Sequence, residues 1–426
     1  MVVDARITRR QLLKSGAGAA AGATLATLGP TMALGAGAGR AKLIPEAKVG
    51  TITFTQRDVP GRLAIATGNP TLGFRGGPGF PEDPTDLGEL VPLPGGWKEL
   101  FEFLAGVGIR QVEFAGYGQN AANPGGTAGY PSDGNAAGRA AYLDHARMIR
   151  GFLDAAGLRA IGNHGFIPNT WPGPNSPGGG MSAGDELRYR TELEFASILG
   201  MPFMGTGNDP TSANNRNIEP WTVAGKKWEA LNGISVGEFG IQLYPHNHSP
   251  AYNFLQDGPM VTVTEDRVTG APIAPTQVRA ESGKRLMQHY LDVTDPDLCV
   301  LEMDIYWAHV AQHQWRWRYD ENGNRVEDIF DPLAQVQAQP KRYALYHAKD
   351  GDRTSQPPGV GNGYTFVPFG DPSSDIDFET FFANQGAKGF HNPNYEQDNA
   401  PGGSADPGRS LRFTEFSAYN LVNLRG

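Results

Sequence analysis

Residues 241–248 read IQLYPHNH, a short apolar run that breaks off into imidazoles. Ile241 and Leu243 favour extended backbone, and Pro245 withdraws a backbone donor at a place where strands tend to end. Residues two apart on a strand share a side, so His246 and His248 point together, with Asn247 opposite. Two histidines leaving a buried strand on one side suit a metal- or sugar-binding edge; they suit a pair of core or capping histidines equally well. Recurrence tips the reading. VLEMDIYW, YALYHAKD and NYEQD end the same way, delivering Asp304, His347 and Glu396 where an apolar run meets a polar tail.

Working outward, the same unit repeats along the chain. The pattern predicts a first strand over 50–54 and an amphipathic helix over 97–105, with Trp97, Leu100, Phe101 and Leu104 on one face. A second strand follows over 110–114. Helices over 140–156, 185–199, 284–293, 332–337 and 378–384 lead to strands over 158–161, 202–204, 299–306, 342–347 and 392–397. A helix over 223–236 leads into the opening stretch, and one over 411–424 closes the chain. Eight strands alternating with helices or long crossovers imply a parallel sheet, and that count is the count of a closed (β/α)8 TIM barrel. Such barrels carry their functional groups at the C-terminal ends of the strands. An open doubly wound sheet is the alternative, but no glycine-rich phosphate turn follows the first strand.

Two segments exceed ordinary loop length and fall as insertions on the catalytic face. Residues 257–282 contain the alternation Val261, Thr262, Val263, Thr264 and then a Thr269-Gly270 turn, which suits a hairpin. Residues 312–328 read QHQWRWRYDENGNRVED, two polar-aromatic strands around Asn322-Gly323. Trp315, Trp317 and Tyr319 suit stacking on sugar rings, shielding of the loop's own small core, or a subunit contact.

With 426 residues and 39% hydrophobic content, the chain is long enough for one large barrel, placed over 46–426. The single cysteine, Cys299, excludes an intramolecular disulfide and a cysteine metal cage. A net charge of −9 argues against a nucleic-acid partner. Residues 1–45 read as a twin-arginine export signal and linker. Thr8, Arg9, Arg10, Gln11, Leu12, Leu13 and Lys14 precede a soft Ala/Gly-rich run too weakly apolar for a permanent membrane span. Cleavage after Ala38 removes Arg6, Arg9, Arg10, Lys14 and Asp4, taking the net charge from −9 to −12. The expected destination is periplasmic or extracellular, with the twin-arginine translocase as a transient partner and no stable membrane anchor.

The strand ends together supply His246 (with His248), Asp304, His347 and Glu396. Two imidazoles and two carboxylates suit one divalent ion, Mn²⁺ first, with Zn²⁺, Co²⁺, Fe²⁺ or Mg²⁺ as alternatives, better than Ca²⁺. Lys349, two past His347, projects to the site side or pairs with Asp350 at the surface. Glu302, two before Asp304, reads as an interior hydrogen-bonded carboxylate, and Asp398 as a group that orients a ligand. Gln56, Arg57, Glu113, His164 and Trp307 are candidates to bind substrate, Tyr117 stands with them at the second strand end, and His164 reads equally as a support behind the ligands.

At this point the chain resembles the sugar phosphate isomerase/epimerase family, the xylose isomerase-like TIM barrels. The resemblance runs from about residue 50 to the end, on TITFTQRD, QVEFAGYG, LYPHNH, EMDIYW, YHAKDG, YEQD and the closing SLRFTEFSAYNLVN. It implies that Asp304, His347 and Glu396 hold one divalent metal, with His246 where sugar epimerases of the family carry a glutamate. No carboxylate follows His248 (the chain runs on through Ser249, Pro250, Ala251, Tyr252 and Asn253), so one acid/base group of the two-glutamate epimerase mechanism is missing. The resemblance implies a metal-dependent isomerase or epimerase moving a proton beside a carbonyl of a sugar, unphosphorylated or oxidised because the chain is exported. Glu396, Lys349 and His248 are the expected catalytic groups. A dehydratase or lyase on a keto sugar or inosose, an apurinic endonuclease, which the acidic balance disfavours, and a non-catalytic sugar-binding barrel are the alternatives.

Overall fold

Eight short parallel strands follow one another round a ring in chain order in the computed structural model, which describes residues 41–60, 95–117, 130–131, 133–168, 171, 180–385, 392–402, 406 and 408–426. The strands are β1 (Gly50–Ile52), β2 (Gln111–Phe114), β3 (Arg159–Asn163), β4 (Phe203–Thr206), β5 (Gln242–Pro245), β6 (Leu301–Asp304), β7 (Tyr343–Ala348) and β8 (Pro393–Tyr395). Parallel ladders join β3 to β2, β2 to β1, β1 to β8, β8 to β7 and β7 to β6, and a separate ladder joins β4 to β5. Two seams remain. The β3–β4 seam is closed by the His164–Gly205 bridge, with Gly165 N donating to Gly205 O at 2.8 Å. At the β5–β6 seam a side chain replaces the ladder: Asn247 Nδ2 donates to Asp304 O at 3.2 Å and Asn247 Oδ1 accepts from Asp304 N at 3.0 Å. The (β/α)8 barrel read from the sequence is the fold.

The intervening helices are α1 (Gly96–Gly106), α2 (Ala136–Ala156), α3 (Ala183–Leu199), α4 (Ile218–Phe239), α5 (Leu286–Val293), α6 (Ile305–Gln314), α7 (Pro332–Ala338), α8 (Phe378–Asn384) and α9 (Arg409–Val422). Their starts are marked by side-chain caps: Asn135 accepts from Gly138 N, Ser182 from Asp185 N and Asp377 from Thr380 N. The long helices α2, α3 and α4 end on Gly157, Gly200 and Gly240 with φ of 69°, 74° and 69°, the left-handed turn glycine supplies most easily. The apolar helix faces meet the outward strand residues in one core; Trp97, Leu100, Phe101 and Leu104 belong to it, as the helical spacing predicts.

Inside the ring a second, smaller set fills the barrel: Ile161, Phe203, Tyr244, Val300, Ala344 and Leu345. Space there is tight. A Cβ on Gly162 would stand 2.8 Å from the Tyr244 hydroxyl and 3.2 Å from Leu345 Cδ1. Those apolar side chains form the floor on which the polar cluster at the strand ends rests.

Three antiparallel hairpins project beyond the ring. Met260–Glu265 pairs with Pro272–Arg279, and Trp317–Tyr319 pairs with Arg325–Glu327, as the two insertions predict. A third, Asp350–Arg353 with Tyr364–Val367, was not legible in the sequence, where residues 350–367 carry four glycines and two prolines among few apolar positions. One boundary differs in a way that matters. The sixth strand was expected to run through Tyr306, but it stops at Asp304, whose carboxylate caps α6 by accepting from Trp307 N at 3.0 Å. The export signal falls outside the described residues, all but its last few positions.

Candidate metal centre

The strand ends β6, β7 and β8 bring Asp304, His347 and Glu396 to one point. Asp304 Oδ2, His347 and Glu396 each offer a ligand atom, all within 4.8 Å of one another and all buried. Asp304 owes its orientation to the cap: Oδ1 is engaged by Trp307 N, which leaves Oδ2 turned toward the centre. Asp304 Oδ2, Glu396 Oε2 and His347 Nδ1 are buried without a well-formed hydrogen bond, although His347 Nδ1 stands 2.8 Å from Glu396 Oε2. Lys349 Nζ enters the same space, 2.7 Å from Asp304 Oδ2, 2.6 Å from Glu396 Oε2 and 2.9 Å from Asp398 Oδ1.

A deeper layer supports this one. Glu113 on β2 and Glu302 on β6 face the barrel axis and take the other side of the imidazoles. His347 Nε2 lies 3.0 Å from Glu113 Oε2 and 3.0 Å from Glu302 Oε1, so the ring is held from below with Nδ1 aimed at Asp304 and Glu396. His164 Nε2 is 2.8 Å from Glu302 Oε2, and His246 Nδ1 is 3.2 Å from the same oxygen. Tyr244 and Asn394 donate to Glu113. His164, His246, Glu302 and His347 thus form a second group able to hold a metal ion, sharing His347 with the first.

Electrostatics follow from burial and from this crowding. Burial pushes the Asp304 carboxyl up to about 7, with Lys349 acting against it. Burial would do the same to Glu396, but Lys349 and His347 hold it well below the usual carboxylate range. His347 is driven well above the ordinary imidazole value by Glu302, Glu396 and Glu113, which outweigh its burial. Asp304, Glu396 and Asp398 likewise raise the Lys349 ammonium against burial. His246 goes the other way, well below, from burial and the neighbouring His347. His248 is lowered to about 4 by burial and by Lys349.

The donor set fits a divalent cation. Five carboxylates (Glu113, Glu302, Asp304, Glu396 and Asp398) crowd one ammonium and a few imidazoles, and Asp304, His347 and Glu396 each offer one ligand atom to a cation at the centre. The cluster accommodates this charge by protonating His347 and by drawing in Lys349. A bound cation would displace that proton and push the ammonium aside.

Several expectations are refined by these positions. His246 joins the deeper group; its Nε2 is 3.6 Å from Asp304 Oδ2, adjacent to the three-residue centre rather than within it. Glu113, expected among the substrate-binding residues, is fully buried with both oxygens engaged, and it orients His347. Gln56, expected beside it, is also not brought to the site: its Nε2 donates to Thr51 Oγ1 and Thr414 Oγ1 inside the core between β1 and α9. Arg57 lies exposed over the Phe54 ring and donates to Asp398 O at 2.7 Å, on the rim. Lys349 faces the site, and Asp350 instead accepts from Ser374 and from Gly370 N and Gly351 N. Trp307 lines the mouth, its ring 5.6 Å from Lys349 Nζ and 5.5 Å from the His248 ring, with Nε1 buried and unpartnered.

Two hollows open beside the cluster. A groove of about 690 Å³ is lined by Asn208, Asp209, Lys227, His248 and Pro250 among others. A smaller cavity of about 350 Å³ lies on the side of His164 and shares Asn208 with the first. The residues that sequence reasoning missed line the smaller one: Tyr142, Arg188 and Glu192 sit on helices, outside the pattern of strand ends that signalled everything else.

Fold and site define a class: a (β/α)8 barrel with a buried carboxylate–imidazole cluster, able to hold a metal ion, at the C-terminal strand ends. No family model and no curated protein matches the sequence. Solved structures similar to this chain are sugar phosphate isomerase/epimerase and xylose isomerase-like proteins. A sugar phosphate isomerase/epimerase from Parabacteroides distasonis is 17% identical, covering 76% of this chain and 87% of its own, with a TM-score of 0.48. A xylose isomerase domain protein from Planctomyces limnophilus is 13% identical, covering 74% and 88%, at 0.41. A xylose isomerase domain containing protein from Salmonella typhimurium LT2 is 12% identical, covering 89% and 96%, also at 0.41. Likeness at this level carries no residue role or activity across to this chain.

Proposed function

We propose that this chain is a divalent-metal-dependent enzyme that moves a proton beside the carbonyl of an unphosphorylated or oxidised sugar, an isomerase, epimerase or related lyase. The observation that carries the reading is the convergence of three buried ligand atoms, Asp304 Oδ2, His347 Nδ1 and Glu396 Oε2, at successive strand ends, gathered round the Lys349 ammonium. Asp304, His347 and Glu396 would hold the ion, Mn²⁺ first among the candidates, with His246 adjacent. A divalent ion there supplies Lewis-acid polarisation of a carbonyl oxygen.

The chain's own groups then divide the work. Glu113 and Glu302 fix the His347 ring and its tautomer from below, the support a metal-binding imidazole needs. Lys349, released from Asp304 and Glu396, is placed to donate to a substrate oxygen. Trp307 Nε1 offers a second donor at the mouth. Glu396, as a ligand whose basicity its neighbours hold down, is a poor proton acceptor. His248 is the better placed group: it opens onto the larger groove and forms no ion pair among the described residues, so its imidazole is free to take a proton, although burial and Lys349 lower its basicity too. The missing fifth-strand carboxylate leaves no evident partner to return a proton on the opposite face. That favours one-faced isomerisation, or elimination as in a dehydratase acting on a keto sugar or inosose, over two-faced epimerisation.

Metal analysis of the purified protein, followed by turnover in D₂O on a panel of keto sugars, aldo sugars and sugar acids, tests the reading. Stoichiometric metal is expected, with deuterium at the carbon beside the carbonyl or an unsaturated product. A metal-free protein that binds sugars without turning them over would return the chain to a non-catalytic sugar-binding barrel. Product that keeps all of the substrate's own hydrogen would rule out proton transfer. We propose also, from the sequence, that the chain reaches the periplasm or exterior through the twin-arginine translocase.

A further inference from the structure

The smaller cavity, beside β2, β3 and β4, holds two donors with nothing to receive them. Asn163 is fully buried; its Oδ1 accepts from Gly116 N at 3.0 Å, while its Nδ2 has no partner. Arg188, on α3, has its Nε buried and equally without a partner. The guanidinium carbon stands 4.1 Å from the centre of the Phe166 ring and 5.3 Å from that of Tyr130. Those contacts hold the fork in place without neutralising it. Both residues line the same cavity of about 350 Å³. A buried donor left without a partner is costly, and two such groups in the lining of one hollow point to a ligand that accepts.

The kind of acceptor follows from what else is there. Tyr142 is already engaged, its hydroxyl donating to Glu192 at 3.1 and 3.2 Å. A sugar hydroxyl would bring a donor as well as an acceptor, and the two unpartnered groups in this lining are both donors. A carboxylate brings only acceptors, and its two oxygens match the planar fork of an arginine. Burial pushes the Glu192 carboxyl up to about 7, with Tyr142 and Arg188 acting against it.

Position links this cavity to the metal centre. His164 lines it, and the His164 ring lies 5.3 Å from the His347 ring and 5.4 Å from that of His246. A small molecule bound beside Arg188 in this cavity would meet His164, whose ring neighbours the imidazoles of the cluster. We propose that this cavity binds the carboxylate of a sugar acid, recognised by Arg188 and Asn163; the proposal rests on the neighbouring cluster being the reaction centre, and it narrows the substrate to an oxidised sugar.

Calorimetric titration tests it with D-glucuronate, D-galacturonate and D-gluconate against D-glucose, D-galactose and D-glucose 6-phosphate. At least one acid should bind tenfold or more tightly than its neutral parent. Arg188→Gln should abolish that preference at unchanged metal content, and Arg188→Lys should keep part of it. Asn163→Asp, which sets a negative charge where the carboxylate docks, should weaken the acid and spare the neutral sugar, giving a second handle if Arg188→Gln does not fold. No preference for any acid, a preference for the phosphate, or an acid preference that survives in folded Arg188→Gln would overturn the proposal. The titrations run on metal-stripped protein as well. Loss of the catalytic reading would thus leave an acid preference visible, and its absence would leave the metal and solvent-exchange results standing.

Discussion

At the scale of single residues, Asp304 performs two tasks with one carboxylate. Oδ1 caps α6 and Oδ2 faces the centre, so the cap fixes the ligand. Asp304→Asn keeps an oxygen for Trp307 N while removing the charge a cation needs; Asp304→Ala removes both. Bound metal, measured by elemental analysis, should fall at least tenfold in either variant. The alanine variant should melt lower than the asparagine variant by the worth of a helix cap, about 1 kcal/mol. Equal metal content in Asp304→Asn and the parent would remove Asp304 from the ligand set. The sequence made Asp304, His347, Glu396 and Lys349 legible because each ends an apolar run, and burial of such an end is itself a signal. It misled at Glu113 and Gln56, which stand at strand ends too. Nothing in the sequence says that Tyr244 and Asn394 donate to Glu113, or that Thr414 from the last helix accepts from Gln56, and those contacts turn both side chains into supports.

At the scale of elements, the tryptophan hairpin is fastened to the barrel rather than standing free over it. Trp315 Nε1 donates to Ser249 O at 2.9 Å, directly after His248, and Arg285 donates to Trp315 O and Asp328 O. Trp317 lies under Arg325, and the Tyr319 hydroxyl donates to Glu265 O on the neighbouring hairpin. Trp315 thus packs against the main core, while Trp317 and Tyr319 make contacts within and between the two hairpins. Trp315→Phe loses the donor and part of the ring that packs against the core, so it should cost at least about 1 kcal/mol of stability. If His248 is the proton acceptor, turnover on the identified substrate should fall more than that loss of stability explains. A second element, the contact of α2 with α3, carries a pH dependence. Glu192 accepts from Tyr142 with 4% of its surface exposed, and burial raises its pKa from 4.5 to about 7. A carboxylate with a raised folded-state pKa contributes fully below its unfolded value. That contribution is lost as pH rises through the folded one, here from about 4.5 to about 7. The loss is on the order of 3 kcal/mol. Glu192→Gln should flatten that part of the profile, as read from midpoints of chemical unfolding between pH 4.5 and 8. A slope unchanged by the substitution would assign it to other buried carboxylates, Asp350 among them.

At the scale of the whole molecule, the barrel was legible because its period is long and regular, a helix and then a strand, with ligand-type residues marking each strand's end. What the period could not supply were features outside it. The third hairpin joins Asp350–Arg353 to Tyr364–Val367 across a glycine- and proline-rich connection with no alternation to announce it. The β5–β6 seam is closed by Asn247, a residue the sequence places opposite the histidines without saying what it meets. The N-terminal segment makes a separate demand on the chain. The proposed twin-arginine route would carry the protein across folded, which would suit a barrel whose one cysteine is buried and whose candidate metal site is assembled from distant strand ends. Were the chain exported unfolded, His347 and Glu396 would meet whatever metal the destination supplied. Exported folded, it takes the metal available where it folds. Replacing Arg9 and Arg10 together by lysine should therefore hold the protein inside the cell, folded and metal-loaded, as read by fractionation and elemental analysis. Each single replacement should slow export less. Efficient export of the double variant would show that the arginine pair is not what the export machinery reads.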